Sequence, residues 1–196
     1  MASTILVDKI DPQSGTALEI GSSGDTMTVP SGATLSIAGT ITNTGTATGF
    51  GGANTPAFSV YLNAAMSLTN NTTSKVTYDT EKVDTDSAFA SNKFTVPSGG
   101  AGTYYFIHAP TIQTTSSGAT LCRSYVYVNG SEVARSDSRI VTGTGHYENT
   151  PVSTYMATLS ESDYVEGYAR IESDGTGTET VEGATRSWFI GYKLIT

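Results

Sequence analysis

One segment, residues 94–106, constrains the possible fold more than any other part of the sequence. Residues 94–96 alternate apolar and polar side chains and lead into Pro97, which cannot donate a hydrogen bond to a β-ladder. Residues 98–102 contain three glycines, and these supply the backbone freedom that a chain reversal needs. Residues 103–106 continue with two tyrosines and a phenylalanine, which are typical of strands. The segment predicts a strand, a tight turn and a second strand.

The rest of the sequence extends this β pattern. Side chains alternate between the two faces of a strand, so we expect Tyr104 and Phe106 to pack inward and Tyr105 to lie on the opposite face. The chain has 21 glycines and 11 tyrosines, and only 37% of its residues are hydrophobic. No stretch repeats apolar residues at the 3.6-residue period of a helix. The sequence therefore predicts an all-β fold.

The formal net charge of −8, with Lys and Arg totalling 10, argues against two classes of partner. A protein that neutralises phosphates needs a basic face, and this sequence has no basic cluster, so we expect no nucleic-acid partner. An anionic membrane surface is disfavoured for the same reason. No apolar run approaches the roughly 20 residues of a membrane-spanning helix, so we expect no membrane insertion.

The single cysteine, Cys122, excludes an intramolecular disulfide, and its apolar strand context predicts a buried, unreactive thiol. The N-terminal residues lack the long apolar region of a secretory signal. We therefore expect synthesis in a cytoplasm without a signal peptide.

Alternating runs separated by turn residues predict the remaining strands. Asn129-Gly130, between two such runs, is the strongest hairpin signal in the sequence. The aromatic final run is expected to lie inside a sheet, which fits the closure of a jelly roll. The predicted strands cover residues 57–62, 75–79, 104–113 with an interruption at Pro110, 121–128, 132–135 continuing through 138–142, 152–159, 164–172 and 188–195; the predicted loops cover residues 70–73, 80–92 and 175–183.

The first 55 residues form a separate region in this interpretation. Residues 1–12 are expected to be a docking segment that uses Ile5, Leu6, Val7 and Ile10, the alternative being a frayed tail. Residues 13–49 are expected to be a β-stem, residues 50–55 a linker and residues 56–196 the head.

The stem prediction rests on a weak repeat. Apolar pairs begin at Leu18, Met27 and Leu35, and glycines separate them. This spacing gives one apolar face per rung with a glycine turn between rungs. One chain cannot bury such faces alone, whereas three chains wound around one axis could. The alternative is a flexible linker rich in Gly, Ser and Thr.

Four short motifs follow one another in residues 56–196: Phe94-Thr-Val-Pro, Gly102-Thr-Tyr-Tyr-Phe, Leu159-Ser-Glu-Ser-Asp-Tyr-Val and Phe189-Ile-Gly-Tyr-Lys-Leu. In this order they resemble the motifs of the complement C-one-q and tumour-necrosis-factor-like jelly roll. The sequence departs from the family pattern at Ser162, where glycine is favoured, and at Lys193, where an apolar residue is usual. The resemblance implies a tight homotrimer with aromatic sheets facing the threefold axis, ligand binding at the apex or between subunits, and no catalysis.

The resemblance assigns the aromatic residues of these motifs to the trimer interface or the sandwich core. Those residues are Phe94, Tyr104, Phe106, Phe189 and Tyr192. Residues 5–15, 24–35 and 44–52 resemble the leader of fibre and appendage proteins of marine tailed bacteriophages. That likeness implies an N-terminus anchored to other virion proteins and a head that points outward.

The sequence shows no catalytic motif above background. Glu148, Glu161, Asp163 and Glu166 are available to a glycan hydrolase, but any acidic chain offers such pairs. Asp84 and Asp86 are weak calcium candidates in an acidic segment that also contains Asp79 and Glu81. The alternative is that this segment is an ordinary solvated loop. No other cofactor is expected. Weak receptor-binding candidates are Tyr147, Tyr164 and Tyr168. The favoured interpretation of each is that it lines a subunit interface or the sandwich.

These observations predict a homotrimeric virion structural protein on the virion surface: a short tail fibre or spike whose head attaches to a host glycan or protein. The alternative is a head-decoration protein that stabilises the capsid shell. A glycan-degrading spike enzyme is the remote alternative.

Overall fold

The computed structural model describes residues 20, 24–40, 42, 54–140 and 147–194. The chain divides into two units, Met1–Thr48 and Gly49–Thr196. The described residues contain only strands, turns and irregular segments, which confirms the all-β prediction; no helix in this part of the chain could cross a membrane. The strands are β1 (Ala57–Tyr61), β2 (Met66–Ser67), β3 (Ser74–Lys75), β4 (Thr80–Asp84), β5 (Phe89–Ala90), β6 (Lys93–Thr95), β7 (Gly102–Ala109), β8 (Ile112–Thr114), β9 (Leu121–Val128), β10 (Ser131–Arg139), β11 (Tyr147–Asn149), β12 (Ser153–Leu159), β13 (Tyr164–Glu172), β14 (Glu179–Val181) and β15 (Trp188–Lys193).

The strands of the second unit form three antiparallel sheets. A five-stranded sheet has the order β12-β7-β15-β1-β4, and a six-stranded sheet has the order β10-β9-β13-β6-β5 with β3 paired to β13. A smaller four-stranded sheet has the order β11-β8-β14-β2. The C-terminal strand β15 lies between β7 and β1, which confirms that the final aromatic run is inside a sheet.

The pairing of the eight principal strands is that of a jelly roll. In chain order these strands are β1, β6, β7, β9, β10, β12, β13 and β15, and the first pairs with the last, β1 with β15. The second pairs with the seventh, the third with the sixth, and the fourth with the fifth. Successive strands therefore fold inward as nested hairpins distributed over two sheets, which is the jelly-roll topology.

Phenylalanine rings fill the space between the two large sheets. The Phe58 ring stacks on Phe94 with centroids 5.0 Å apart and meets Phe189 edge-on at 5.0 Å. Gly191 lies beside this cluster, where an added Cβ would come within 2.5 Å of Phe106 and Phe58. The glycine is therefore required because two core rings occupy the space of a side chain.

The hairpin predicted at Asn129-Gly130 is confirmed. β9 and β10 pair on either side of these two residues, whose φ angles are 50° and 76°. Two consecutive positive φ values define a type I′ turn, which matches the twist of the strands it joins. Cys122 is free and 1% exposed, and burial raises the pKa of its thiol to about 12, so the prediction of a buried, unreactive cysteine is also confirmed.

Two predicted loops contain strands, so those parts of the prediction are wrong. Residues 80–92 include β4 and β5, and residues 175–183 include β14. β4 is the edge of its sheet and three of its five side chains are exposed, so the apolar alternation that identifies a strand is missing. β14 is only three residues long and buries Glu179, whose carboxylate accepts a hydrogen bond from Ser173 Oγ at 2.6 Å.

A third prediction is only partly right. Of the strand predicted at residues 75–79, only Lys75 lies in a strand, because β3 ends at this residue. The Val76 N–H still donates to Gly167 O on β13 at 2.9 Å.

The first unit is described mainly through residues 24–40. These residues contain turns, with positive φ at Gly24 and Gly32, and none of them is assigned to a strand. Its apolar side chains are 44–66% exposed, namely Ile20, Met27, Val29, Leu35 and Ile37. The three-chain β-stem remains a prediction, because a single chain offers these residues no partner strands. Leu18 and the docking residues Ile5, Leu6, Val7 and Ile10 lie outside the described residues.

Ser162 explains one departure from the resemblance and gives a first stability prediction. Its φ is 70°, in the left-handed region that glycine adopts without a steric penalty, and its N–H donates to Val96 O at 2.9 Å. We expect Ser162→Gly to raise the free energy of unfolding by about 0.5–1 kcal/mol, measured by urea denaturation. Ser160→Gly is the control, because Ser160 is outside the left-handed region and gains no such relief. Equal or lower stability for Ser162→Gly would contradict this explanation.

Candidate functional site

The outer face of the five-stranded sheet carries a patch of apolar side chains. The register places Tyr105 beside Met156 and Tyr192, and Ile107 beside Ile190, across β12, β7 and β15. Tyr104 and Phe106 between them are 0% exposed in the core, so the alternate residues point outward. We call this surface the apolar face and define it by Tyr105, Ile107, Met156, Trp188, Ile190 and Tyr192.

Exposure shows that this surface is uncovered in the single chain. Met156 is 61% exposed, and the other five residues are partly exposed. Val83 on the edge strand β4 and Val152 just before β12 add 45% exposed side chains at the two ends of the same sheet. Exposed apolar side chains grouped in this way are typical of an interaction site.

The outer face of the six-stranded sheet has the opposite character. Arg123 contacts Asp137 at 3.1 Å and Glu172 at 2.5 Å, and Arg170 contacts Glu172 at 3.1 Å. We call this surface the charged face. An antiparallel sheet normally presents polar residues to solvent. The charged face follows this rule and the apolar face does not.

The receptor-binding candidates Tyr164 and Tyr168 both lie on the charged face, since they are four residues apart on β13. Lys93 Nζ lies 4.7 Å from the centroid of the Tyr164 ring. The Tyr168 ring packs on Tyr127 at 4.4 Å, and burial together with Glu166 raises the pKa of Tyr168 to about 12. Both tyrosines are thus held by neighbours within the subunit. Tyr147 lies in β11, and its side chain is outside the described residues.

The residues assigned to the trimer or sandwich core separate into two groups. Phe94, Tyr104, Phe106 and Phe189 are 0% exposed between the sheets, so they belong to the subunit's own core. Tyr192 instead lies on the apolar face, where its ring centroid is 6.0 Å from that of Tyr105. Only this second position is available to another subunit.

The carboxylates considered for glycan hydrolysis are each held by a structural partner. Glu148 pairs with Arg186, and Glu166 accepts from Lys75 Nζ at 2.7 Å. Glu161 accepts from the Gly99 N–H at 2.6 Å. Asp163 accepts from Asn129 Nδ2 at 2.8 Å and from the Ser160 N–H at 2.8 Å, and these hydrogen bonds lower the pKa of its carboxyl. Their contacts stabilise turns and sheet faces.

The carboxylates of both calcium candidates likewise accept hydrogen bonds from groups in their own segment. Asp84 accepts hydrogen bonds from the N–H groups of Ala88 at 2.8 Å and Phe89 at 3.0 Å, and Asp86 accepts from the Thr85 hydroxyl at 2.7 Å. Within the described residues, no three side chains among His, Cys, Asp and Glu are grouped to hold a metal ion. The described part of this acidic segment therefore works as a turn between β4 and β5.

His108 and Ser124 form a buried polar pair that no local sequence pattern indicates. His108 is 0% exposed, and its Nδ1 lies 2.9 Å from Ser124 Oγ. Ser124 Oγ already donates to His108 O at 3.0 Å, so Nδ1 carries the proton that Oγ accepts, and Nε2 is bare. Nε2 has no hydrogen-bond partner among the described residues, and burial lowers the pKa of His108 to about 3.

Comparison with known proteins gives structural likenesses. No protein-family model and no curated protein matches the sequence. The globular domain of zebrafish complement 1qA protein is similar in structure, with a TM-score of 0.47 and 18% sequence identity over 71% of this chain and 97% of that chain. The assignment of the jelly roll rests on the strand pairings of this chain itself, which form an all-β domain with the charged face on one large sheet and the apolar face on the other.

Proposed function

We propose that the chain is a homotrimeric structural protein of a bacteriophage virion, a short fibre or spike whose head attaches to the host surface. The observation that carries the proposal is the apolar face, because a sheet face of this composition is stabilised by burial against another surface. Contact between copies of the chain buries it without any other partner. The role is binding rather than catalysis.

The first unit supports the same assembly. Its described apolar residues are exposed in the single chain, at the 8–9-residue spacing expected of stacked rungs. Three copies would bury these residues against one another. The number three comes from the resemblance of the head to trimeric jelly rolls, and the virion setting comes from the resemblance of residues 5–52 to phage leaders.

A trimer gives the attachment role a physical basis. Three equivalent heads on one anchor present three binding sites to the same cell. Once one head has bound, the others bind at a high effective concentration, so weak individual contacts add up to stable attachment.

One feature favours a decoration protein as the second candidate. The predicted stem, residues 13–49, is short, which suits a head held close to the capsid as well as it suits a short spike. In that case the N-terminal arm interlocks on the capsid shell, and its binding stabilises the shell by mass action.

Labelling of virions tests the proposal. Gold-labelled antibodies against the purified chain should mark discrete positions at the tail of intact particles. Labels distributed over the capsid would replace the tail version by the decoration version. Particles without label would overturn the virion role. Purified chain that binds no host cells would remove the attachment role.

A further inference from the structure

A cleft of about 460 Å³ lies at one edge of the sandwich. Its walls come from the segment after β1, the segment before β4 and the turn between β5 and β6. β4 and β5 are the edge strands of the two large sheets, so the cleft lies on neither the apolar face nor the charged face. The lining residues are Leu62, Ala64, Ala65, Met66, Thr77, Tyr78, Asp79 and Asn92.

The lining combines apolar surface with a small number of polar groups. Leu62 is 1% exposed and Tyr78 is 7% exposed, whereas Met66 is partly exposed and can present its side chain to a ligand. The Tyr78 hydroxyl is buried and has no hydrogen-bond partner in the part of the chain that the structure describes. This mixture of polar and apolar groups suits a ligand that carries both hydroxyl and C–H groups.

The Asp79 carboxylate is held in place at the cleft wall. It accepts hydrogen bonds from the Asn63 N–H at 2.7 Å, the Ala64 N–H at 3.3 Å and the Thr80 hydroxyl at 2.9 Å. These bonds lower the pKa of the Asp79 carboxyl, the Asn63 N–H contributing most. A carboxylate that lines the cleft can accept a further hydrogen bond from a hydroxyl group.

Asn92 supplies hydrogen-bond donors that complement the Asp79 carboxylate. Its side chain makes no hydrogen bond within the described residues, so both its amide donors and its carbonyl acceptor are free. Its φ of 58° fixes the backbone at the turn between β5 and β6. Thr77 adds a hydroxyl, which makes only a 3.2 Å contact with Met66 Sδ.

Charge narrows the class of ligand. The lining contains a carboxylate and no Lys or Arg, so it disfavours phosphates, sulfates and acidic sugars. An amide and a carboxylate in one lining suit the hydroxyl groups of a ligand, and the apolar part of the lining suits C–H groups. The volume is in the range that accommodates a small organic ligand.

We infer that this cleft binds a neutral saccharide unit, with Asn92 and Asp79 on its hydroxyl groups and Met66 on its C–H face. The inference deepens the proposed attachment role and rests on that role for the biological source of the sugar. It places the binding site within one subunit and away from the apolar face.

Binding to the purified full-length chain tests the inference. The probes are the neutral methyl glycosides of glucose, galactose, mannose, rhamnose and N-acetylglucosamine, with N-acetylneuraminic acid and inorganic phosphate as charged comparators. Saturation-transfer NMR and calorimetric titration should show binding of at least one neutral glycoside with Kd in the millimolar range and no binding of either anion. Absence of binding across the neutral panel, or tighter binding of an anion, would overturn the inference.

Two glycine substitutions at neighbouring positions locate the site. Asn92→Gly removes the free amide while keeping a residue that tolerates positive φ, and it should weaken glycoside binding about tenfold. Ser91→Gly, at φ 53° but outside the lining, is the matched control and should leave binding unchanged. Equal affinities for Asn92→Gly and the parent would overturn the assignment. The glycoside assay uses no virions, and the labelling of virions uses no sugar. A failure of the saccharide inference is therefore distinguishable from a failure of the proposed virion role.

Discussion

An Ile190→Asp substitution is expected to weaken association of the proposed trimer at least a hundredfold while leaving the jelly roll folded. Ile190 lies on the central strand β15, between Ile107 on β7 and Ser59 on β1. In the isolated subunit its side chain points outward and is partly exposed, so an aspartate there remains hydrated. In the trimer the same carboxylate would be buried without a partner, which costs about 3 kcal/mol or more per site, or roughly two decades in affinity.

The matched control places the same charge on the other outer face. Thr95 lies on β6 of the six-stranded sheet and is also partly exposed, so Thr95→Asp adds one carboxylate beside groups that are already charged. Light scattering over a dilution series should show dissociation for Ile190→Asp alone, and thermal unfolding should show both variants folded. Unchanged association of Ile190→Asp would exclude the apolar face as the contact between copies.

Acidification is expected to destabilise the head well before most carboxylates titrate. The pKa of His108 is about 3 in the folded chain against an ordinary 6.5. Between these two pKa values His108 binds a proton in the unfolded chain but not in the folded chain. The free energy of unfolding therefore falls as the pH falls. The slope is about 1.4 kcal/mol per pH unit, so lowering the pH from 6.5 to 4.5 should cost roughly 2–3 kcal/mol. Asp79, Asp163 and Asp174 have lowered pKa values and contribute below this window.

His108→Asn isolates this effect. An asparagine amide can replace the Nδ1–H that Ser124 Oγ accepts, while it removes the titrating ring. The variant is expected to be less stable at pH 7 because it leaves a cavity, but its stability should change little between pH 6.5 and 4.5. The readout is the pH slope of urea unfolding, with His146→Gln as the control for loss of one imidazole. A parent slope retained in His108→Asn would show that other groups cause the acid sensitivity.

Local signals were sufficient for most of the fold. The Asn129-Gly130 turn and the 164–172 strand were predictable because turn chemistry and period-two alternation act over a few residues. The edge strand β4 and the short strand β14 were not, since their pairing depends on partners distant in sequence. β4 follows a polar pattern because one side of its backbone faces no other strand.

The functional surfaces were less predictable than the fold. The sequence grouped Tyr192 with Phe94 and Phe189, and only the register shows that Tyr192 points away from the core. His108 and Ser124 are 16 residues apart, on strands of different sheets, so their hydrogen bond had no local signal. Asp79 and Asn92 line the cleft from two different edge segments. The sequence predicted Asn92 only as the last residue of a loop.

The molar mass of the purified full-length chain tests the central claim most directly. Multi-angle light scattering at micromolar concentration should give three times the 20.4 kDa mass of one chain. Ile190→Asp should shift that value toward one chain mass on dilution. A mass of 20.4 kDa for the unaltered chain at every concentration would contradict the proposed trimer and leave the apolar face without the partner assigned to it.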